Sequence, residues 1–227
     1  MWSLTDEGNR PRLPIKETDA KEGKEMNRRD DFLIGPKEKA EMALKAGRTE
    51  EASEHLEEVY NQFRGLHDAY CNHLSLTQGL LASIKGNEWF ATFTRDLIYE
   101  GYRSRFARWK DFSAEQRVEA VCAMQRAHYG KFHVEEDEHK FLICITECNA
   151  GGRLLRDGIA KRQDAITKEP FPWSFNRAGF PYYCAHAYFF NKLWEELGIK
   201  ARVEWGRQYD EDGNRVDEPC KYIIEKE

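Results

Sequence analysis

The sequence predicts an α+β protein, with an N-terminal helical half followed by a small antiparallel sheet of two hairpins crossed by a helix. Three observations carry this. Apolar residues recur at three- and four-residue steps from Pro36 to about residue 130; from Phe132 onward they fall into short runs of strand formers; and an Asp-Gly pair, Asp212-Gly213, marks a reversal between the last two runs.

Each element has its own signal. Residues 1–35 carry Pro11, Pro14, Gly8 and Gly23 with clustered charge and little periodicity, so they read as an extended or partly disordered arm. Its apolar residues, Trp2, Leu4, Leu13, Ile15 and Phe32 to Ile34, are candidates for docking on the body or on a second copy. Residues 36–227 then read as one α+β domain, helical over 36–130 and sheet plus helix over 131–227. Pro36 is suited to a first helical turn, and the run to Ala46 ends at Gly47. Thr49, with Glu50 and Glu51, opens a long helix whose Leu56, Val59, Phe63, Leu66, Tyr70, Leu74, Leu81 and Ile84 form the expected core stripe. Gly65 and Gly79 are places for it to bend or end. Beyond Gly86, Trp89, Phe93, Leu97, Tyr102 and Phe106 trace a third stripe, and Ser113-Ala-Glu-Gln116 is a capping box before a fourth helix. Phe132 to Val134 and Phe141 to Ile145 predict the first hairpin, turning over the acidic run Glu135 to Glu138. Ala201 to Trp205 and Cys220 to Ile224 predict the second, and Pro181 to Leu197 the helix between them, ending at Gly198.

Composition limits the function classes. Lysine and arginine total 35 against 40 acidic residues, a net charge of -5, which supplies no global field for nucleic acid or an anionic bilayer. The opening residues lack a basic, apolar leader and no run approaches the roughly 20 apolar residues of a membrane span. A soluble, cytoplasmic protein with a small organic partner is therefore expected. The 6 cysteines are too sparse for a disulfide scaffold at 227 residues, which turns attention to metal binding or catalysis.

Three cysteines stand at the ends of predicted elements. Cys148 ends the second strand, Cys184 opens the last helix within Tyr182-Tyr-Cys-Ala-His186, and Cys220 begins the last strand. In a two-hairpin sheet crossed by one helix these positions can converge at one rim. Thiolates and imidazole are zinc donors, so Cys148, Cys184 and Cys220, with His186 as fourth ligand, form the expected Zn2+ site. No Cys-x-x-Cys pair marks it, and separately buried thiols are the competing reading. A further alternative makes Cys184 a nucleophile assisted by His186. Asn149 to Arg153 offers backbone amides and a guanidinium for a carboxylate. Phe171 to Tyr183, dense in rings and containing Arg177, reads as a loop over an apolar pocket or as core. Glu204, alternating with Val203 and Trp205, faces either pocket or water. His67, His73 and His128 read as interfacial histidines; Asp68 could orient His67, but no third partner is visible in the sequence.

The order from Val134, through Cys148, Tyr183-Cys-Ala-His186, Ala201-Arg-Val-Glu-Trp205 and Pro219-Cys-Lys-Tyr-Ile-Ile224, resembles the L-2-amino-thiazoline-4-carboxylic acid hydrolase-like proteins. More distantly it is similar to the 4-vinyl reductase type of ligand-binding domain. The resemblance covers about the last 95 residues and implies an α+β fold around a pocket for a small, often cyclic molecule. In the vinyl-reductase-like sensors it also implies cysteine-held zinc, which falls on Cys148, Cys184 and Cys220. The expected activity is hydrolysis or ring opening of a carboxylated substrate. Arg153, Arg177, Trp173, Tyr182 and Tyr183 would bind it, and His186 or Glu204 would carry the proton. The rival expectations are a non-catalytic sensor or accessory protein, and a subunit whose helical half and arm serve homo-oligomeric assembly.

Overall fold

The computed structural model describes residues 34–226 and divides the chain into two compact units, Met1–Leu56 and Glu57–Glu227. The expected arm, up to Leu33, lies outside the described residues. In the first unit, α1 (Pro36–Lys45) has proline in its first turn and closes at Gly47 with φ +73°, and α2 (Thr49–Lys85) begins two residues later.

Helix α2 runs 37 residues, unbroken at Gly65 and Gly79. In the second unit its packed face is turned away from the one expected, although Leu74 of the expected stripe still packs against the core. Leu66, Tyr70, Leu80 and Ile84 are exposed, whereas Cys71, Ser75, Gly79 and Ala82 are buried. Small residues win because the neighbouring backbone comes too close for large ones: a Cβ on Gly79 would lie 2.9 Å from Ala165 Cα. Gly86, at φ +85°, separates α2 from α3 (Asn87–Ala107). In α3 the first half of the expected stripe is shifted by one position, with Phe90, Thr94 and Ile98 inside and Trp89, Phe93 and Leu97 outside, whereas its last two members hold: Phe106 is buried and Tyr102 packs against the core. Helix α4 (Ala114–Ala127) carries the predicted capping box, both hydrogen bonds of which form between Ser113 and Gln116.

Strands β1 (Lys131–Glu136), β2 (Lys140–Glu147), β3 (Ala201–Glu204) and β4 (Lys221–Glu225) form one antiparallel sheet in the order β1-β2-β4-β3. The second hairpin therefore joins the first through its later strand. Between β2 and β3 lie two short helices, α5 (Gly151–Arg156) and α6 (Ile159–Arg162), then a 310 turn at Tyr182–Cys184 leading into α7 (Ala185–Glu196). Helix α7 packs on β3 and α3, with Phe106, Trp109, Phe190 and Trp194 meeting as an aromatic cluster. The described residues are thus α+β, 59% helical, with the sheet in the C-terminal half. No described helix is long and apolar enough to cross a membrane.

Candidate functional site

The three cysteines at element ends line one cavity. Cys148 enters from the end of β2, Cys184 from the 310 turn before α7, and Cys220 from the residue before β4. A cavity of about 60 Å³ lies between them and His128, His186, Tyr183, Trp205 and Tyr222. That is well below the roughly 300–1,000 Å³ of drug-sized ligand pockets, so it admits an ion with a few waters or a very small molecule. None of the lining residues is a lysine, arginine, aspartate or glutamate.

Two of the sulfurs accept an N–H: Gly152 N donates to Cys148 Sγ at 3.3 Å and Gly206 N to Cys220 Sγ at 3.4 Å. Glycine makes these approaches feasible. A Cβ on Gly151 would fall 2.2 Å from Cys184 Sγ, and one on Gly206 would fall 2.3 Å from Pro219 O. Gln208, itself buried, ties the β2 end in place: it accepts from Cys148 N at 2.9 Å and donates to Ile145 O. Burial pushes the Cys220 thiol up to about 12, with the nearby Cys148 adding to the shift, and raises Cys184 for the same reason with Cys148 and Cys220 contributing. A bare thiolate at Cys184 is thus disfavoured, which counts against its expected alternative role as a nucleophile.

His186 donates Nδ1–H to Tyr183 O at 2.7 Å, and burial lowers its pKa, so its neutral ring carries a lone pair on Nε2. Burial, followed by His186 and His67, lowers His128 to about 4. Asn149 is 4% exposed; its Nδ2 donates to Tyr129 O, but its Oδ1 has no partner. Asn149 is among the residues that line the cavity, though its unpaired Oδ1 is itself inaccessible to solvent.

Several expected residues are placed elsewhere. Arg153 does not line the cavity: it is 5% exposed, with Nε 3.2 Å from Asp68 Oδ1 and Nη2 2.8 Å from Asn72 Oδ1. Its charge is already paired with the half-buried Asp68 carboxylate. Arg177 pairs with Glu218 at 2.5 Å and lies 5.7 Å from the Trp205 ring, outside the lining. Trp173 stacks on Phe171 and Tyr182, and the Tyr182 hydroxyl donates to Asn87 Oδ1 at 2.8 Å, so these rings are core. Of the aromatic loop, Tyr183 reaches the cavity. Glu204 points to solvent beside Arg202, because strand alternation turns Val203 and Trp205 inward.

Metal-ligand spacing holds a surprise. Among the described residues, two groups of donors lie within 4.8 Å of one another: His67, Cys71 and His128, and the more exposed His133, Glu135 and Cys144. Cys148, Cys184 and Cys220 are wider apart as a set. Sequence reasoning passed over the first group. Its readable trace is the four-residue step from His67 to Cys71 beside Asp68; nothing local announces His128, 61 positions from His67. The chain matches no family profile, no curated protein and no solved structure.

Proposed function

We propose that this protein binds a small, uncharged organic molecule above a zinc ion held by Cys148, Cys184 and Cys220, with His186 as fourth ligand, and senses or delivers that molecule. The observation that carries this reading is that Cys148, Cys184 and Cys220 line the wall of one cavity, with backbone N–H donors on the Cys148 and Cys220 sulfurs, so that an ion would have to draw the three together. N–H donors offset charge on thiolate ligands, and an ion would overcome the burial that keeps these thiols protonated. Absence of a cationic side chain from the lining favours a neutral ligand. The similarity to the 4-vinyl reductase type of domain agrees with this reading.

A second reading, hydrolysis or ring opening as in the L-2-amino-thiazoline-4-carboxylic acid hydrolase-like proteins, is favoured by one observation. With Nδ1 donating to Tyr183 O, His186 offers Nε2 as a proton acceptor facing the same space. In that case neither Arg153 nor Arg177 anchors a substrate carboxylate, and His186 stays off the metal.

Metal analysis and native mass spectrometry of the purified chain test both readings. The binding reading expects bound zinc that Cys184→Ser removes, loss of metal in His186→Ala, and a small neutral molecule recovered unchanged. Zinc retained in His186→Ala together with turnover abolished by that substitution supports the hydrolase. Zinc content identical in wild type and Cys184→Ser refutes the metal site in either.

A further inference from the structure

His67 and Cys71 stand four residues apart on one face of α2, and His128 follows the last turn of α4. His67 Nε2 lies 3.0 Å from His128 Nδ1 and 3.4 Å from Cys71 Sγ, and all three donors fall within 4.8 Å of one another. Zinc bonds of about 2.0–2.1 Å to nitrogen and 2.3 Å to sulfur imply tetrahedral edges of about 3.3 Å between nitrogens and 3.5 Å between nitrogen and sulfur. Two of the three separations already match.

The surroundings of His67 are those of a ligand. Asp68 Oδ1 sits 3.0 Å from His67 Nδ1, and Arg153 Nε sits 3.2 Å from the same carboxylate oxygen. A carboxylate at that distance calls for Nδ1–H, which leaves the lone pair on Nε2, the atom facing His128 and Cys71. Arg153, 6% exposed in its side chain, holds the carboxylate from behind and also donates to Asp68 O and Asn72 Oδ1. Cys71 is fully buried, and the His67 side chain is 10% exposed. This is a donor set with its outer support built, not a surface coincidence.

We propose that His67, Cys71 and His128 form a binding site for a divalent transition metal, zinc by its two-imidazole, one-thiolate chemistry, with Asp68 and Arg153 as positioning residues. Three protein ligands leave the fourth position for water or for a ligand. His128 and Tyr183 both line the cavity, and the Tyr183 hydroxyl is 3.5 Å from Cys71 Sγ, so that position borders the cavity. The site uses donors distinct from the three cavity thiols and does not rest on them.

The test strips the full chain with a chelator and titrates it with zinc, counting ions per chain. His67→Gln and His128→Gln should each remove one ion that Cys184→Ser leaves in place. Asp68→Asn should keep that ion but weaken its binding about 10–100-fold. Should the glutamine variants misfold, imidazole 1H–15N correlations of the wild-type chain decide instead: zinc must shift the ring nitrogens of two histidines, His67 and His128. Unchanged stoichiometry and affinity in folded His67→Gln and His128→Gln, or ring nitrogens unmoved by zinc, overturns the site. An ion lost with His67→Gln in a chain whose Cys184→Ser variant keeps full metal content supports this site while refuting the three-thiol one. An ion lost only with Cys184→Ser does the reverse.

Discussion

The chemistry of the cavity depends on glycines as much as on cysteines. Gly151 leaves room for the Cys184 sulfur that a methyl group would fill, and Gly152 both donates to Cys148 Sγ and passes close to its Cβ. Gly151→Ala should therefore displace the Cys184 side chain, cost about 1–3 kcal/mol in urea unfolding and weaken zinc binding by at least tenfold. Zinc titration at wild-type affinity would show that the sulfur's position does not matter. Arg153 makes a sharper contrast between expected and observed roles. Arg153→Met leaves Asp68 without its guanidinium and should cost about 3 kcal/mol of stability, the lower end for breaking a buried pair because Asp68 is only half-buried, with no carboxylate-binding defect in the protein that remains folded. Loss of carboxylate binding without loss of stability would reinstate it as an anchor. The sequence made the cysteines legible, because Cys148, Cys184 and Cys220 flank turns and helix starts that local patterns announce. It concealed the fate of Arg153, since its partners Asp68 and Asn72 are 85 and 81 positions away and a guanidinium carries no local mark of what it will meet.

At the scale of elements, caps and reversals were readable and faces were not. Gly47, Gly86 and Gly198 all take positive φ at helix ends, and the Ser113 capping box forms as the spacing requires. In α2 large apolar residues do not mark the core, whereas in α3 they do, one position along in its first half, at Phe90 and Ile98. In α2 the inward face is instead Cys71, Ser75, Gly79 and Ala82, whose small size lets the backbone of Ala165 approach. Gly79→Ala should thus destabilise the protein by about 1–3 kcal/mol despite alanine's better helix propensity, whereas Leu66→Ala, at a position 66% exposed, should change stability by no more than about 0.5 kcal/mol. Chemical denaturation of the pair checks this, and the reverse ranking would restore the large residues as the packed face. The same shift of face hid the metal-spaced trio: once Cys71 faces inward, His67 turns toward the end of α4.

For the whole molecule, the fold class followed from the change of period near Phe132, but the strand order did not. Local turn signals pair β1 with β2 and β3 with β4; that β4 rather than β3 lies against β2 depends on how the α7 crossover seats on the sheet. That choice brings Cys220 beside Cys148 and so creates the cavity. The α3–α7 aromatic cluster is part of the second unit's core, so Phe106→Ala, at a fully buried ring, should cost about 3–5 kcal/mol in equilibrium unfolding. A loss under about 1 kcal/mol would place the core elsewhere.

Zinc K-edge absorption on the His67→Gln chain loaded with a single equivalent of zinc isolates the cavity thiols. Three sulfurs at about 2.3 Å with one nitrogen is the predicted shell. A shell of nitrogen and oxygen alone, or no retained zinc, would contradict the account.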